Sequence, residues 1–294
     1  MNFEFEIIKW FQQISNNFLD IVAELITMLG EQYLLIIIVV FVYFVYNKKL
    51  GEIFAYSVIV SATLNNTVKG VFQAKRPFEV NPDIVNKRPE TSTGFSFPSG
   101  HSQNAATFYT SLGFIIRKKW TWIVFGVIIS LVGLSRMFLG VHFLRDVIFG
   151  IILGIGIAFL GQYLFNKYGD NPRSKMILLG ITALVFLPFL FIFYNPDYDA
   201  IGKFRDFYTT YALYLGFALA IIIENKYVNF TCETALSKRV YRFVIALFIF
   251  MAIHFGLKSI LPDENIFFDM LRYFLDGFVT LGLFPLSFKK LKLL

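Results

Sequence analysis

EQYLLIIIVVFVYFVYN, residues 31–47, carries one charged residue, Glu31, and runs straight into Lys48-Lys49. Wound as a helix at 1.5 Å per residue it covers about 25 Å. That approaches the ~20 apolar residues that carry a helix across a bilayer. The rest of the chain reads the same way. Of its 294 residues, 56% are hydrophobic and only 16% charged, and the mean hydropathy is +0.63. A soluble domain is about 25% charged, and its polar residues must cover much of its surface. A soluble enzyme, a disordered chain, a coiled coil and a disulfide scaffold are therefore excluded as the main reading. The sequence describes an all-α, polytopic transmembrane helical bundle. Its thirty-seven Phe and fifteen Tyr suit lipid-facing and interfacial surfaces.

Outward from that stretch, further spans are expected near 51–73, 101–116, 120–139, 143–165, 177–194, 207–224, 241–258 and 266–288. A weaker one at 16–30 contains Asp20 and Glu24. Residues 1–13 place Glu4, Glu6 and Lys9 among Phe, Ile and Trp10. That pattern predicts an amphipathic interfacial helix rather than a cleavable signal peptide. The lone Cys232 excludes an internal disulfide.

Charge alternates between the connections. Lys48-Lys49, Arg117-Lys118-Lys119, Lys167/Arg173/Lys175, Lys226/Lys238/Arg239/Arg242 and Lys289/Lys290/Lys292 supply fifteen cations to one set. The other set holds the long connection 74–100, the turn near Gly140, and two segments with Asp197, Asp199, Asp206, Asp263 and Glu264. The positive-inside rule puts the first set, with the C-terminus, in the cytoplasm and the second outside. The N-terminus is then inside if 16–30 crosses. The net charge of +7 reports this loop bias, not nucleic-acid binding.

Three groups of polar residues fall on the outer side. Lys69 and Arg76 are seven residues apart, close to two helical turns, so one helix face is expected to hold both before Pro77 ends it. A lysine point charge and an arginine fork suit a phosphoryl group; two snorkelling cations are the plainer alternative. Pro98-Ser99-Gly100-His101 opens a span. Ser99 can cap it, Gly100 allows close backbone approach, and helix N–H groups bind anions. An ordinary capping turn with an incidental histidine is the alternative. Ser135-Arg136, His142 and Asp146 form the third group. The four-residue spacing of His142 and Asp146 predicts a shared helix face, and the carboxylate would fix the imidazole tautomer. A buried Arg–Asp pair with a structural histidine is the alternative. Ionisable groups at membrane depth are costly and usually functional. Two of only three histidines fall in these groups.

Lys69…Arg76-Pro77, Pro98-Ser99-Gly100-His101 and Ser135-Arg136…His142…Asp146 together resemble the three-part signature of the type 2 phosphatidic acid phosphatase superfamily. That superfamily includes polyprenyl pyrophosphate, phosphatidylglycerophosphate and glucose-6-phosphatases and the vanadium haloperoxidases. The resemblance implies a six-helix phosphatase core over residues 1–165 and no metal or other cofactor. It implies His142 as nucleophile forming a phosphohistidine, Asp146 orienting it, and His101 as proton donor. Lys69, Arg76, Ser99, Gly100 and Arg136 would bind the phosphoryl oxygens. The expected substrate is a membrane lipid with a phosphate or pyrophosphate head, reached from the bilayer at the extracytoplasmic face. The expected location is a cell membrane, and the pattern does not fix the oligomeric state.

Residues 166–294 extend beyond that core by about four spans and carry no catalytic signature. Asp269, Arg272 and Asp276 share a helix face there and are expected to pair with another helix; His254 is expected to be structural. Three other activities remain open: a phosphotransferase passing the phosphoryl group to an alcohol, a sugar-phosphate phosphatase, and a transporter in which the cations bind without reacting.

Overall fold

The computed structural model describes every residue except 1, 93, 196, 198–200 and 263–264, and of Asn2 the backbone alone. Asp199, Asp263 and Glu264 lie outside the described residues. The chain is helical, with no strand among the described residues. Its helices are α1 (Asn2–Gln13), α2 (Asn17–Met28), α3 (Gln32–Phe41), α4 (Lys48–Phe72), α5 (Pro77–Val80), α6 (Gly100–Ile116), α7 (Lys119–Phe138) and α8 (Leu144–Tyr168). They continue with α9 (Pro172–Ile192), α10 (Arg205–Tyr227), α11 (Leu236–Met251) and α12 (Ile266–Phe278). Single π-turns extend α3 over Val42–Tyr46, α11 over Ala252–Gly256 and α12 over Val279–Leu283.

Six helical runs among the described residues are long and apolar enough to cross a membrane: Asn17–Tyr46, Lys119–Phe138, Leu144–Tyr168, Pro172–Ile192, Arg205–Tyr227 and Leu236–Ile260. The other expected spans also form helices, and physical features set them apart. α6 has 17 residues. α4 holds Lys48, Lys49, Glu52 and Lys69, and α12 holds Asp269, Arg272 and Asp276. The segments 16–30 and 31–47, expected as two spans, make one apolar run of 30 residues.

Contacts divide the chain into two compact units. The first comprises Met1–Leu35 and Leu64–Phe159, the second Ile36–Thr63 and Leu160–Leu294.

In the first unit α8 lies almost backbone to backbone on α6, and a side chain of α8 packs on a glycine of α7. A Cβ added at Gly150 would stand 2.7 Å from the Ser99 carbonyl oxygen, and one at Gly154 2.4 Å from that of Gln103. A Cβ at Gly133 on α7 would stand 2.6 Å from Val147 Cγ1 on α8. Small residues permit such approach, and interhelical packing then supplies the cohesion that lipid cannot. Gly154→Val should wedge α8 off α6. Forced overpacking costs about 1–3 kcal/mol or more, so a clear fall in melting temperature is expected in a thermal-shift assay in detergent.

α1 packs its apolar face on the turn between α7 and α8. Ile8 is fully buried with Ile84, Met137, Phe143 and Val147, and the Phe5 and Phe143 rings meet edge to face at 5.3 Å. Gln12 and Val85 exchange two hydrogen bonds (2.7 and 3.1 Å), Lys9 pairs with Asp83 (2.9 Å) and Glu4 with Arg145 (2.8 Å). The N-terminus therefore lies at the same end of this unit as the 74–100 connection. α2 alone has only 12 residues, about 18 Å and short of a crossing, so the condition on which the N-terminus was expected inside is not met by 16–30 alone.

In the second unit α10 and α12 are in close contact. Added Cβ atoms at Gly216 and Gly277 would meet the Phe274 carbonyl oxygen at 2.1 Å and Phe217 N at 2.9 Å. Tyr211 and Tyr214 donate from α10 to the α9 carbonyls of Ala183 (2.9 Å) and Leu179 (2.7 Å). Cations of the basic set meet acidic partners here: Lys48 pairs with Glu224, Lys49 with Asp170 and Lys175 with Glu52.

Candidate active site

All eight expected site residues fall in the first unit. Two of the local arguments for them need correcting. Lys69 and Arg76 do not share a helix face. α4 ends at Phe72, Gln73 turns into the left-handed region (φ 47°), and Arg76 is extended (φ −77°, ψ 160°), as a residue before proline prefers to be. Arg76 comes back to the site through that turn. His142 and Asp146 do not share a helix face either, because α8 begins at Leu144. Asp146 instead reaches back from the first turn to accept from Phe143 N (3.0 Å). That carboxylate capping contact fixes it beneath His142.

His142 is 2% exposed. Its Nδ1 lies 3.5 Å from Asp146 Oδ2 and 3.4 Å from Ser96 Oγ. Ser96 Oγ donates to Asp146 Oδ2 at 2.6 Å. On the other side of the ring, Arg76 Nη1 donates to Nε2 at 3.3 Å. A guanidinium cannot accept, so Nε2 carries the lone pair and Nδ1 the proton. Arg76 is fixed by Nε donating to the Gly94 carbonyl and Nη1 to that of Val141, both at 3.0 Å. Burial, then the charges of Arg76, Arg136 and Lys69, hold the His142 imidazole well below the ordinary histidine range.

Arg136 is fully buried. Its Nη1 donates to Thr27 Oγ1 on α2 at 2.8 Å. Its Nε and Nη2 find no partner among the described residues, nor does the buried Nε2 of His101. Ser99 caps α6, its Oγ accepting from Ser102 N (3.4 Å) and Ser102 Oγ (2.9 Å), and Ser99 N donates to the Asp146 carbonyl (3.0 Å). A Cβ added at Gly100 would stand 3.8 Å from Lys69 Nζ, so Lys69 reaches the N-terminus of α6. The turn into the site requires glycine at 140: φ is +74°, and an added Cβ would meet the Val85 carbonyl oxygen at 2.4 Å.

Buried N–H groups left unmatched cost about 1–3 kcal/mol each. Arg76 at the imidazole lone pair, with the unmatched Arg136 N–H groups in the same unit, suits a tetrahedral oxyanion. In-line attack on phosphorus is the chemistry such a set can perform. Phe138 and Phe143 pack in the core, whereas Phe72 is 64% exposed and stacks at an angle on Phe97.

Sequence reading missed Ser96 and Thr27. Ser96 stands two residues ahead of Pro98, where one small polar residue among phenylalanines gives no signal by type. Thr27 is a lone hydroxyl on an apolar helix 109 residues from Arg136. Ser96→Ala should lower kcat about 10- to 100-fold, the usual range for a residue that orients a ligand side chain. KM should change little, since Ser96 faces the imidazole rather than the anion pocket. Steady-state kinetics with both constants separated would test this, and a fall confined to KM would contradict it.

Comparison with known proteins gives two family matches. Residues 51–170 match the PAP2 superfamily, and residues 208–294 match the transmembrane extension of PAP2 superfamily phosphatases. Phosphatidylglycerophosphatase B of Bacillus subtilis is 44% identical over 90 residues, covering 28% of this chain and 43% of that protein. The undecaprenyl-diphosphatase of Sulfolobus acidocaldarius is 35% identical over 116 residues, 39% of this chain and 54% of that one. This chain thus spans about half the length of these relatives. The crystal structure of a transmembrane PAP2-type phosphatidylglycerolphosphate phosphatase from Bacillus subtilis is 31% identical, with a TM-score of 0.49. It covers 56% of this chain and 86% of that one.

Proposed function

Since the chain belongs to the PAP2 superfamily, we propose that it is an integral-membrane phosphatase acting on the phosphate or pyrophosphate head of a lipid. The observation that carries this reading is the set of buried nitrogens, Nε and Nη2 of Arg136 and Nε2 of His101, that have no partner among the described residues. A phosphoryl group would satisfy them. The relatives support the lipid: their names specify phosphatidylglycerophosphate and undecaprenyl diphosphate.

In the proposed reaction, His142 Nε2 attacks phosphorus as the bond to the leaving oxygen breaks, and His101 gives that oxygen a proton. His101 then takes a proton from water as its oxygen attacks phosphorus; the bond to His142 Nε2 breaks, its electron pair returns to Nε2, and phosphate is freed. Asp146 and Ser96 hold the Nδ1 proton throughout. Lys69, Arg76, Arg136, Ser99 and the Gly100 backbone neutralise the equatorial oxygens. Three cations there do the work a metal ion does in other phosphoryl-transfer sites.

We place the core at residues 1–165 and the extension at 166–294. The site faces outside and the C-terminus the cytoplasm, on the fifteen cations of the opposite loops. Phosphate release in detergent with EDTA, from undecaprenyl pyrophosphate, phosphatidylglycerophosphate, phosphatidate and glucose 6-phosphate, tests the activity. Release from a lipid at rates well above the sugar phosphate is expected. Release only with an added lipid alcohol as acceptor would make it a transferase, and none from any substrate by folded protein would refute the reading.

A further inference from the structure

The buried charges outside the eight site residues fall into two groups. Those of α10 to α12 in the second unit pair with one another. Asp269 accepts from Arg205 (2.6 Å) and Arg272 (2.8 Å), and Asp276 Oδ2 meets His254 Nδ1 at 2.7 Å. That is the expected pairing with other helices. In the first unit Arg88 pairs with Glu31, and their side chains are only 14% and 23% exposed. An exposed ion pair contributes little, but this one is mostly shielded, and it lies close to the site.

The end of α2 and the turn after it, Thr27–Glu31, tie Arg88 to two site residues. Thr27 Oγ1 accepts from Arg136 Nη1 (2.8 Å). The Gly30 backbone lies against that of His101, so closely that an added Cβ would stand 2.8 Å from the His101 carbonyl oxygen. Glu31 Oε1 accepts from Arg88 Nη2. The turn is fixed in its own right: Tyr109 Oη donates to the Leu29 carbonyl (3.2 Å), and Gly30 N to that of Thr27 (3.0 Å).

Arg88 is fixed from its own side as well. Its backbone N–H donates to Asn86 Oδ1 (3.0 Å), the N–H of Lys87 to the Leu139 carbonyl (3.1 Å), and Arg88 Nη1 to the Glu24 carbonyl (3.4 Å). The connection has other clasps, since Lys87 pairs with Asp20 (2.8 Å) and Lys9 with Asp83 (2.9 Å). The Arg88 charge acts on His101 and on Arg136, and on His101 ahead of that of Lys69. At His142 the charges that act first are those of Arg76, Arg136 and Lys69. Arg88 is therefore a fourth cation of the site, on the side of the proton donor rather than of the nucleophile.

In-line transfer puts the leaving oxygen opposite the nucleophile. A cation on the His101 side is thus placed for the group that departs. A phosphate monoester releases an alcohol, which brings no anionic oxygens to a guanidinium. A diphosphate releases a lipid phosphate, which does, and an arginine fork matches it.

We propose that Arg88, set by Glu31, binds the inner phosphate of a lipid diphosphate and favours that head over a monophosphate. The inference rests on the phosphatase reading and narrows its substrate. As the bond from His142 Nε2 to the outer phosphorus forms, the bond from that phosphorus to the bridging oxygen breaks. Its electron pair goes to the leaving lipid phosphate, where Arg88 meets the added charge and His101 supplies the proton.

The test is kcat/KM for phosphate release from farnesyl diphosphate and from phosphatidate, by the full chain in detergent. Arg88→Gln should lose at least about tenfold more on the diphosphate than on phosphatidate, as removal of a hydrogen bond to a charged group implies. Arg88→Lys keeps the charge without the fork and should lose less. Glu31→Gln breaks the same ion pair from its other end but leaves Arg88 in place, so the preference for diphosphate should hold or rise. Equal losses on both substrates in Arg88→Gln and Glu31→Gln would overturn the proposal in favour of a structural clasp. An unchanged preference in Arg88→Gln would overturn it too, and were that variant to unfold, Arg88→Lys and Glu31→Gln carry the test. Protection from heat by inorganic pyrophosphate, compared with phosphate, reads the same pocket without turnover. Pyrophosphate should protect the wild type better, and Arg88→Gln should lose the difference. Phosphate release without that difference in the wild type would overturn this proposal alone. The difference without release from any substrate would refute the phosphatase reading instead.

Discussion

His142→Ala is expected to abolish phosphate release, by at least about a thousandfold, since deleting a covalent nucleophile removes the pathway rather than slowing it. Folding should survive. Deleting a neutral ring that meets the Arg76 guanidinium, the Ser96 hydroxyl and the Asp146 carboxylate breaks no ion pair between charged groups. The wild-type enzyme carries a linked expectation in its pH profile. The reactive form is the neutral imidazole. Burial and the three cations hold its proton affinity below the ordinary histidine value of about 6.5. His142 therefore stays unprotonated as pH falls through 6.5, and the acid limb of kcat/KM that it sets should lie below that value. A limb centred above 6.5 would place a different group, or a different environment, at the nucleophile.

Arg136→Met should separate activity from stability. The guanidinium is fully buried, with one hydrogen bond to Thr27 and two nitrogens unmatched. In the empty enzyme it is a net cost, and replacing buried charge by a hydrophobic side chain of similar volume often gains about 1–4 kcal/mol. In the transition state it faces developing charge, where losing one preorganised donor costs about 10²–10³ in rate. Activity should fall at least about a hundredfold while the melting temperature holds or rises. Arg136→Lys should lose activity too, because a lysine cannot span the Thr27 hydroxyl and a phosphoryl oxygen with one planar fork. A variant that unfolds, or that keeps its rate, would contradict a phosphate-binding role.

The site was legible in the sequence as a set of residue types, because burying Lys, Arg, His and Asp in a lipid-soluble chain requires a reason. The geometry was not legible. Periodicity put Lys69 with Arg76 and His142 with Asp146 on helix faces. In both cases one residue lies off the helix, because α4 ends at Phe72 and α8 begins only at Leu144, and the contact comes from a turn. Ser96 and Thr27 are small and neutral, so their placement depends on tertiary packing alone. The same limit explains 16–30: its composition resembles a span, but contacts with α7 and the 81–88 connection keep the N-terminus at the site end. In the second unit the sequence marked Asp269, Arg272, Asp276 and His254. The π-turns beside them, over Ala252–Gly256 and Val279–Leu283, are encoded by no hydrophobic pattern.

Thr27 and Glu31 lie outside residues 51–170, the stretch that the PAP2 superfamily match covers. Glu31 pairs with Arg88, and Asp20 with Lys87. The matched stretch therefore holds the candidate reacting groups but not everything that supports them. Trimming the gene to the region of similarity would keep the nucleophile, the proton donor and all three cations, yet remove the hydroxyl that aims one of those cations and the carboxylates that anchor the loop. What performs the chemistry and what holds it in place have different borders in this molecule.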